Sequence, residues 1–124
     1  MSDVRRYAVE AENTGTFGRV LCSARTHHFV IDGPAANGCP GEELTPPEAF
    51  LAGIASCGVE LVQVLAKAQE FPLTAVRASI KGVVNRAKPV RPDVTLFNEV
   101  RLTFTLQGPN QEQAERLIAA FQAR

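Results

Sequence analysis

The chain has 124 residues, 45% of them hydrophobic, which suits one core and a single domain over residues 1–124. Lys and Arg number 13 and Asp and Glu 13, so the formal net charge is zero, and neither nucleic acid nor an anionic membrane is indicated as a partner. Cys22, Cys39 and Cys57 make an odd count with no CxxC or Cys/His spacing, which argues against a disulfide scaffold or a structural zinc site.

From the N-terminus, Met1-Ser-Asp-Val-Arg-Arg has no apolar run behind its charges and so does not read as a signal peptide; reducing cytoplasm is the expected setting. Tyr7, Val9 and Ala11 alternate with Ala8, Glu10 and Glu12, the pattern of a first strand. Asn13-Thr-Gly15 supplies turn residues, and a second strand is predicted over Phe17 to Ser23. A third covers His27-His-Phe-Val-Ile-Asp32, closed by Gly33-Pro34. The two histidines are adjacent, so on a strand they face opposite sides and cannot alone form a metal pair. A Gly- and Pro-rich loop, Ala35 to Leu44, then leads to a helix.

That helix is the most strongly specified element. Thr45 suits the cap, Pro46 or Pro47 the first helical position, and Glu48 sets a negative charge against the positive end of the dipole. From Ala49 to Ala68 the polar residues besides Cys57 are Ser56, Glu60, Gln63 and Lys67, whose spacing puts them on one narrow stripe. The rest of the circumference is apolar, and Gly53 and Gly58 leave room for another backbone. The polar stripe argues against a membrane span. Phe71-Pro72 should end the helix.

Beyond it, strands are predicted over Thr74 to Val84 and Val94 to Leu106, each with one apolar face, joined by the basic connection Asn85 to Asp93. Asn110 with Gln113 forms a capping-box pattern at the start of a last helix, whose buried stripe is Ala114, Leu117, Ile118 and Phe121. The order is β-β-β-α-β-β-α, an α+β fold with an antiparallel sheet and a long buried central helix. About 24 helical residues, roughly 36 Å, need cover on nearly every face. One small sheet covers only one of them. A second copy of the same helix solves the problem, so an intertwined homodimer is expected.

The run His27-His-Phe-Val-Ile-Asp32-Gly-Pro, the Gly-rich loop, and Pro47-Glu48-Ala-Phe-Leu-Ala-Gly-Ile-Ala-Ser-Cys57 together resemble the OsmC/Ohr family, the osmotically inducible protein C and organic hydroperoxide resistance proteins. The nine-residue step from Glu48 to Cys57 is closer to the OsmC-like branch than to the Ohr branch. The resemblance runs through both later strands to the Asn110 helix, and it implies intertwined dimers with two long central helices. It also implies reduction of organic hydroperoxides or hydrogen peroxide by a peroxidatic cysteine, assisted by an arginine from the N-terminal strands and by the Pro-Glu carboxylate. By position Cys57 matches that cysteine and Glu48 that carboxylate; Arg19 is the first candidate for the arginine and Arg25 the second. In the family a resolving cysteine follows a helix like Gln111 to Arg124; within residues 1–124 no cysteine occupies that place, nor does the family's last strand.

The chemistry itself asks for a cation. Only a thiolate attacks a peroxide, and the ordinary thiol pKa of about 8.5 must come down. Cys57 lies too far inside its helix for the N-terminal dipole, and an ionised Glu60 one turn on would oppose the shift. Bland readings stand beside these: Cys57 as core filler, Glu48 as a dipole complement, Arg19 as a solvated charge, Cys22 as packing. Cys39, in Asn37-Gly-Cys-Pro-Gly41, is either a loop thiol or a substitute resolving cysteine. No metal or organic cofactor is implied; reduction calls for an external dithiol. The competing class is a non-catalytic dimer that binds a small apolar or electrophilic ligand, or a one-cysteine sensor.

Overall fold

The computed structural model describes residues 3–93 and 97–123. The chain forms two compact units, one up to Phe50 and one from Leu51. In the first, strands β1 (Glu10–Asn13), β2 (Arg19–Ala24) and β3 (His27–Asp32) form an antiparallel sheet in the order β1-β2-β3. Arg25 takes a left-handed φ of 56° in the tight turn between β2 and β3, an uncommon conformation for a residue with a Cβ. The turn pairs Ala24 with His27 at one end of the hairpin and Arg19 with Asp32 at the other. Cys22 is buried within β2, opposite Phe29, as a packing residue. The first strand is shorter than its alternation suggests, and Tyr7 and Val9 are exposed. A short 3-10 turn at Ala35–Asn37 opens the loop to the long helix.

Helix α1 (Pro46–Ala68) begins where the Thr45-Pro-Pro signal places it. It ends before Phe71-Pro72 through a Schellman turn. Phe71 N–H donates to the Ala66 carbonyl at 2.9 Å and Glu70 N–H to that of Lys67 at 3.2 Å, with Glu70 at φ 56°. Strands β4 (Ala75–Val83) and β5 (Glu99–Gln107) pair antiparallel, so the five strands divide into two sheets. Val94, Thr95 and Leu96, expected to start β5, lie outside the described residues, as does Arg124, expected to end the last helix. Helix α2 (Gln111–Gln122) has the full capping box: the Asn110 side chain accepts from Gln113 N–H at 2.8 Å, and Asn110 N–H donates to Gln113 Oε1 at 3.0 Å.

The core of the second unit joins Val62 and Ala66 of α1 to Leu117 of α2, with Val76, Phe104, Leu106, Ile118 and Phe121 packed around them. Phe104 and Phe121 meet edge to face, with centroids 5.3 Å apart. Gly58 makes room for that cluster rather than for another backbone: a Cβ there would stand 2.7 Å from Phe104 Cζ. Gly53, in contrast, faces open space. The core-facing residues Gly58, Val62 and Ala66 recur every four positions, so one stripe of α1 is buried. The all-round burial expected from its composition is not supplied by the chain itself. By length and composition alone α1 could cross a membrane, and 22% of its most apolar window is buried within the chain.

Candidate functional site

Arg19 is the first residue of β2, set up by the left-handed turn residue Gly18. Its register partner is Asp32, the last residue of β3, and the two side chains form a bidentate pair. Arg19 Nε donates to Asp32 Oδ1 and Nη2 to Oδ2, both at 2.8 Å. The loop before α1 closes over this pair. Backbone N–H groups of Glu42 and Glu43 each donate to Asp32 Oδ2 at 3.0 Å, and Asp32 N–H donates to the Leu44 carbonyl at 2.9 Å. Asp32 is thereby 0% exposed with both oxygens satisfied. Glu42 adds its side chain, Oε1 accepting from Arg19 Nη2 at 3.0 Å. The cluster therefore holds one cation and two carboxylates.

The Arg19 hydrogen bonds hold the Asp32 carboxyl well below the usual carboxylate range, aided by the Glu43 and Glu42 N–H groups and opposed by burial. The same bonds raise Arg19, from Asp32 first and Glu42 second. A carboxylate depressed in the folded state contributes stability above its unfolded pKa of about 3.9, lost as pH falls toward the folded value. The thermal midpoint should therefore drop steeply below about pH 4, and Asp32→Asn should flatten that part of the profile. Thermal melts of both proteins across acidic pH check this; parallel profiles would remove Asp32 as the source.

Glu48 turns its carboxylate to Thr45, accepting from Thr45 N–H at 3.0 Å and from its hydroxyl at 2.8 Å. This is the N3-to-cap half of a capping box, and it lowers the Glu48 pKa, through the Thr45 N–H first. The residues bonded to Arg19 are thus Asp32 and Glu42, while Glu48 fixes the first turn of α1. Arg25, the second arginine candidate, sits in the turn at the far end of the hairpin, about 17 Å from Arg19 along the strand. Cys39 packs its side chain against Gly18 and Gly33, the neighbours of Arg19 and Asp32 in sequence.

Cys57 belongs to the second unit and is exposed. It precedes Gly58 on α1, about 100° around the helix from the core-facing stripe, on the side that also carries exposed Gly53 and Val64. A thiol at this position is exposed and is not core filler in the chain alone.

Sequence reasoning passed over Asp32 and Glu42. Asp32 had a signal, since it is an ionisable residue closing an otherwise β-branched and aromatic run. Glu42 had none, because its role depends on where the loop folds back.

The OsmC-like protein family matches residues 39–124. Among solved structures, the OsmC-like protein of Mycoplasma pneumoniae superposes with a TM-score of 0.82 at 16% identity, over 97% of this chain and 82% of that one. The organic hydroperoxide resistance protein OsmC of Legionella pneumophila gives 0.72 at 23% identity, over 98% and 85%. An organic hydroperoxide resistance protein of Elizabethkingia anophelis, with crystallant-derived thiocyanate bound, gives 0.78 at 16% identity, over 99% and 85%. No curated protein matches the chain.

Proposed function

This chain belongs to the OsmC-like protein family, and on that premise we propose that it is a thiol-dependent peroxidase that reduces organic hydroperoxides. The observation that carries the reading is the exposed Cys57 on a helix whose other side is anchored in a core. A Cys57 thiolate attacks the terminal peroxide oxygen, the O–O bond breaks, and the alkoxide leaves as the alcohol after taking a proton. Cys57 is left as a sulfenic acid. An external dithiol attacks that sulfur, water departs, and the second thiol closes the reductant's own disulfide, returning Cys57. Arg19 supplies the cation that favours thiolate and the charge developing on the leaving oxygen. Glu48 acts through Thr45, fixing the first turn of the helix that bears Cys57.

The uncovered side of α1 supports a homodimer in which the helix pairs with its twin, a water-soluble arrangement in the cytoplasm. Apolar walls from paired helices would favour alkyl peroxides over hydrogen peroxide, in keeping with a role in oxidative-stress defence. Wild type should consume tert-butyl hydroperoxide with dithiothreitol, and Cys57→Ser should lose at least about 100-fold of that rate. Cys22→Ser and Cys39→Ser serve as comparisons. Equal rates for wild type and Cys57→Ser would remove Cys57 from the mechanism.

A second reading draws on one observation: Arg19 is already matched by Asp32 and Glu42. A cation so neutralised fits a one-cysteine sensor or a non-catalytic binder. A Cys57 sulfenic acid that accumulates stably with no turnover would favour that reading.

A further inference from the structure

We propose that Asp32 is the positioning residue that holds Arg19 in a single pose, and that Glu42 is a releasable second carboxylate that masks the guanidinium. The proposal rests on the peroxidase reading for its effect on turnover, but not for the contacts it assigns.

The two carboxylates differ in everything but charge. Asp32 is 0% exposed, bidentate to Arg19, and tied by two backbone N–H groups to the loop that covers it. Its charge-assisted bonds act without competing water, and a planar fork held on two points has a fixed direction. Removing Asp32 frees Arg19 to swing and leaves two loop N–H groups without their acceptor. The Glu42 side chain, by contrast, is 74% exposed and makes one contact at 3.0 Å, to the same Nη2 that already serves Asp32. Pairs of that kind are weak and screened by salt. The Glu42 backbone is nevertheless pinned to Asp32, so its carboxylate remains within reach and returns whenever nothing else occupies Arg19. With Arg19 28% exposed, an incoming anionic group has a face to approach once Glu42 swings away. The result is a cation with a permanent brace and a removable cover.

Two readouts test this. Arginine-selective labelling with phenylglyoxal, scored at Arg19 by peptide mass spectrometry, reports who holds the guanidinium whether or not the protein turns over. Glu42→Gln should raise the Arg19 labelling rate roughly two- to fivefold, the range that an exposed pair's strength allows. Asp32→Asn should raise it more. In turnover of tert-butyl hydroperoxide, Glu42→Gln should increase kcat/KM by a similar roughly two- to fivefold, and added salt should move wild type toward it. Asp32→Asn should lower kcat/KM by about tenfold or more, the usual loss when a group orienting a functional side chain is removed, with Asp32→Glu restoring part of it.

Unchanged Arg19 labelling in Glu42→Gln would overturn the masking role, and that variant tests it even where Asp32→Asn fails to fold. Altered labelling with wild-type turnover in both variants would overturn the positioning role. Loss of the peroxidase reading shows up separately, as Cys57→Ser matching wild type, and the labelling result still decides which carboxylates hold Arg19.

Discussion

Leu117→Ala is expected to destabilise the protein by about 2–5 kcal/mol, the range for truncating a fully buried leucine. Leu117 is the one buried residue of α2, and the core it enters draws on Val62 and Ala66 from α1. Phe104, Phe121 and Ile118 close around it, and the two rings brace each other edge to face. That arrangement resists collapse, so much of the deleted volume should persist as a cavity and place the loss in the upper part of the range. In a unit of this size each kcal/mol moves the midpoint by about 4–8 °C. Thermal melts at fixed protein concentration read the shift, with the exposed Glu115→Ala expected within about 0.5 kcal/mol of wild type. A loss below 1 kcal/mol for Leu117→Ala, about the cost of a surface change, would mean that α2 is not held by this core.

The elements that were legible in the sequence are those with local punctuation. Thr45-Pro-Pro-Glu48 started α1 correctly because capping and proline act within one turn. The Asn110/Gln113 box likewise started α2. The His27–Asp32 strand was bounded by Gly33-Pro34. What was not legible depends on register and on loop path. The Arg19–Asp32 pair exists because a two-residue turn at Arg25 and Thr26 sets those positions opposite one another. Neither residue's immediate sequence signals that. Glu48, which the sequence leaves open between a first-turn dipole complement and a group assisting the arginine, is engaged by Thr45, three residues away, because a first-turn carboxylate lies within reach of the unsatisfied cap N–H. Val100, on the apolar face of β5 by alternation, is 42% exposed at the end of the β4–β5 hairpin that carries the connecting segment. The composition of α1 asks for cover on nearly every side, but composition alone does not say which chain provides it.

That missing cover leads to the other large effect. Val64 is 47% exposed on α1, one heptad after Cys57, with Gly53 open on the same side. Positions at seven-residue spacing form a seam that a second helix can follow, and a glycine on it allows close approach. Under two-fold symmetry each substitution on such a seam counts twice, once from each subunit. Val64→Glu would bring two carboxylates into an apolar contact, a costly burial. We expect wild type to sediment as a dimer at micromolar concentration and Val64→Glu to raise the dissociation constant by roughly 100-fold or more. Gln63→Glu adds the same charge on the neighbouring polar stripe and should leave the dimer intact. Sedimentation velocity at several concentrations decides the matter. A wild-type monomer, or a Val64→Glu protein that dimerises as before, would place the cover of α1 elsewhere.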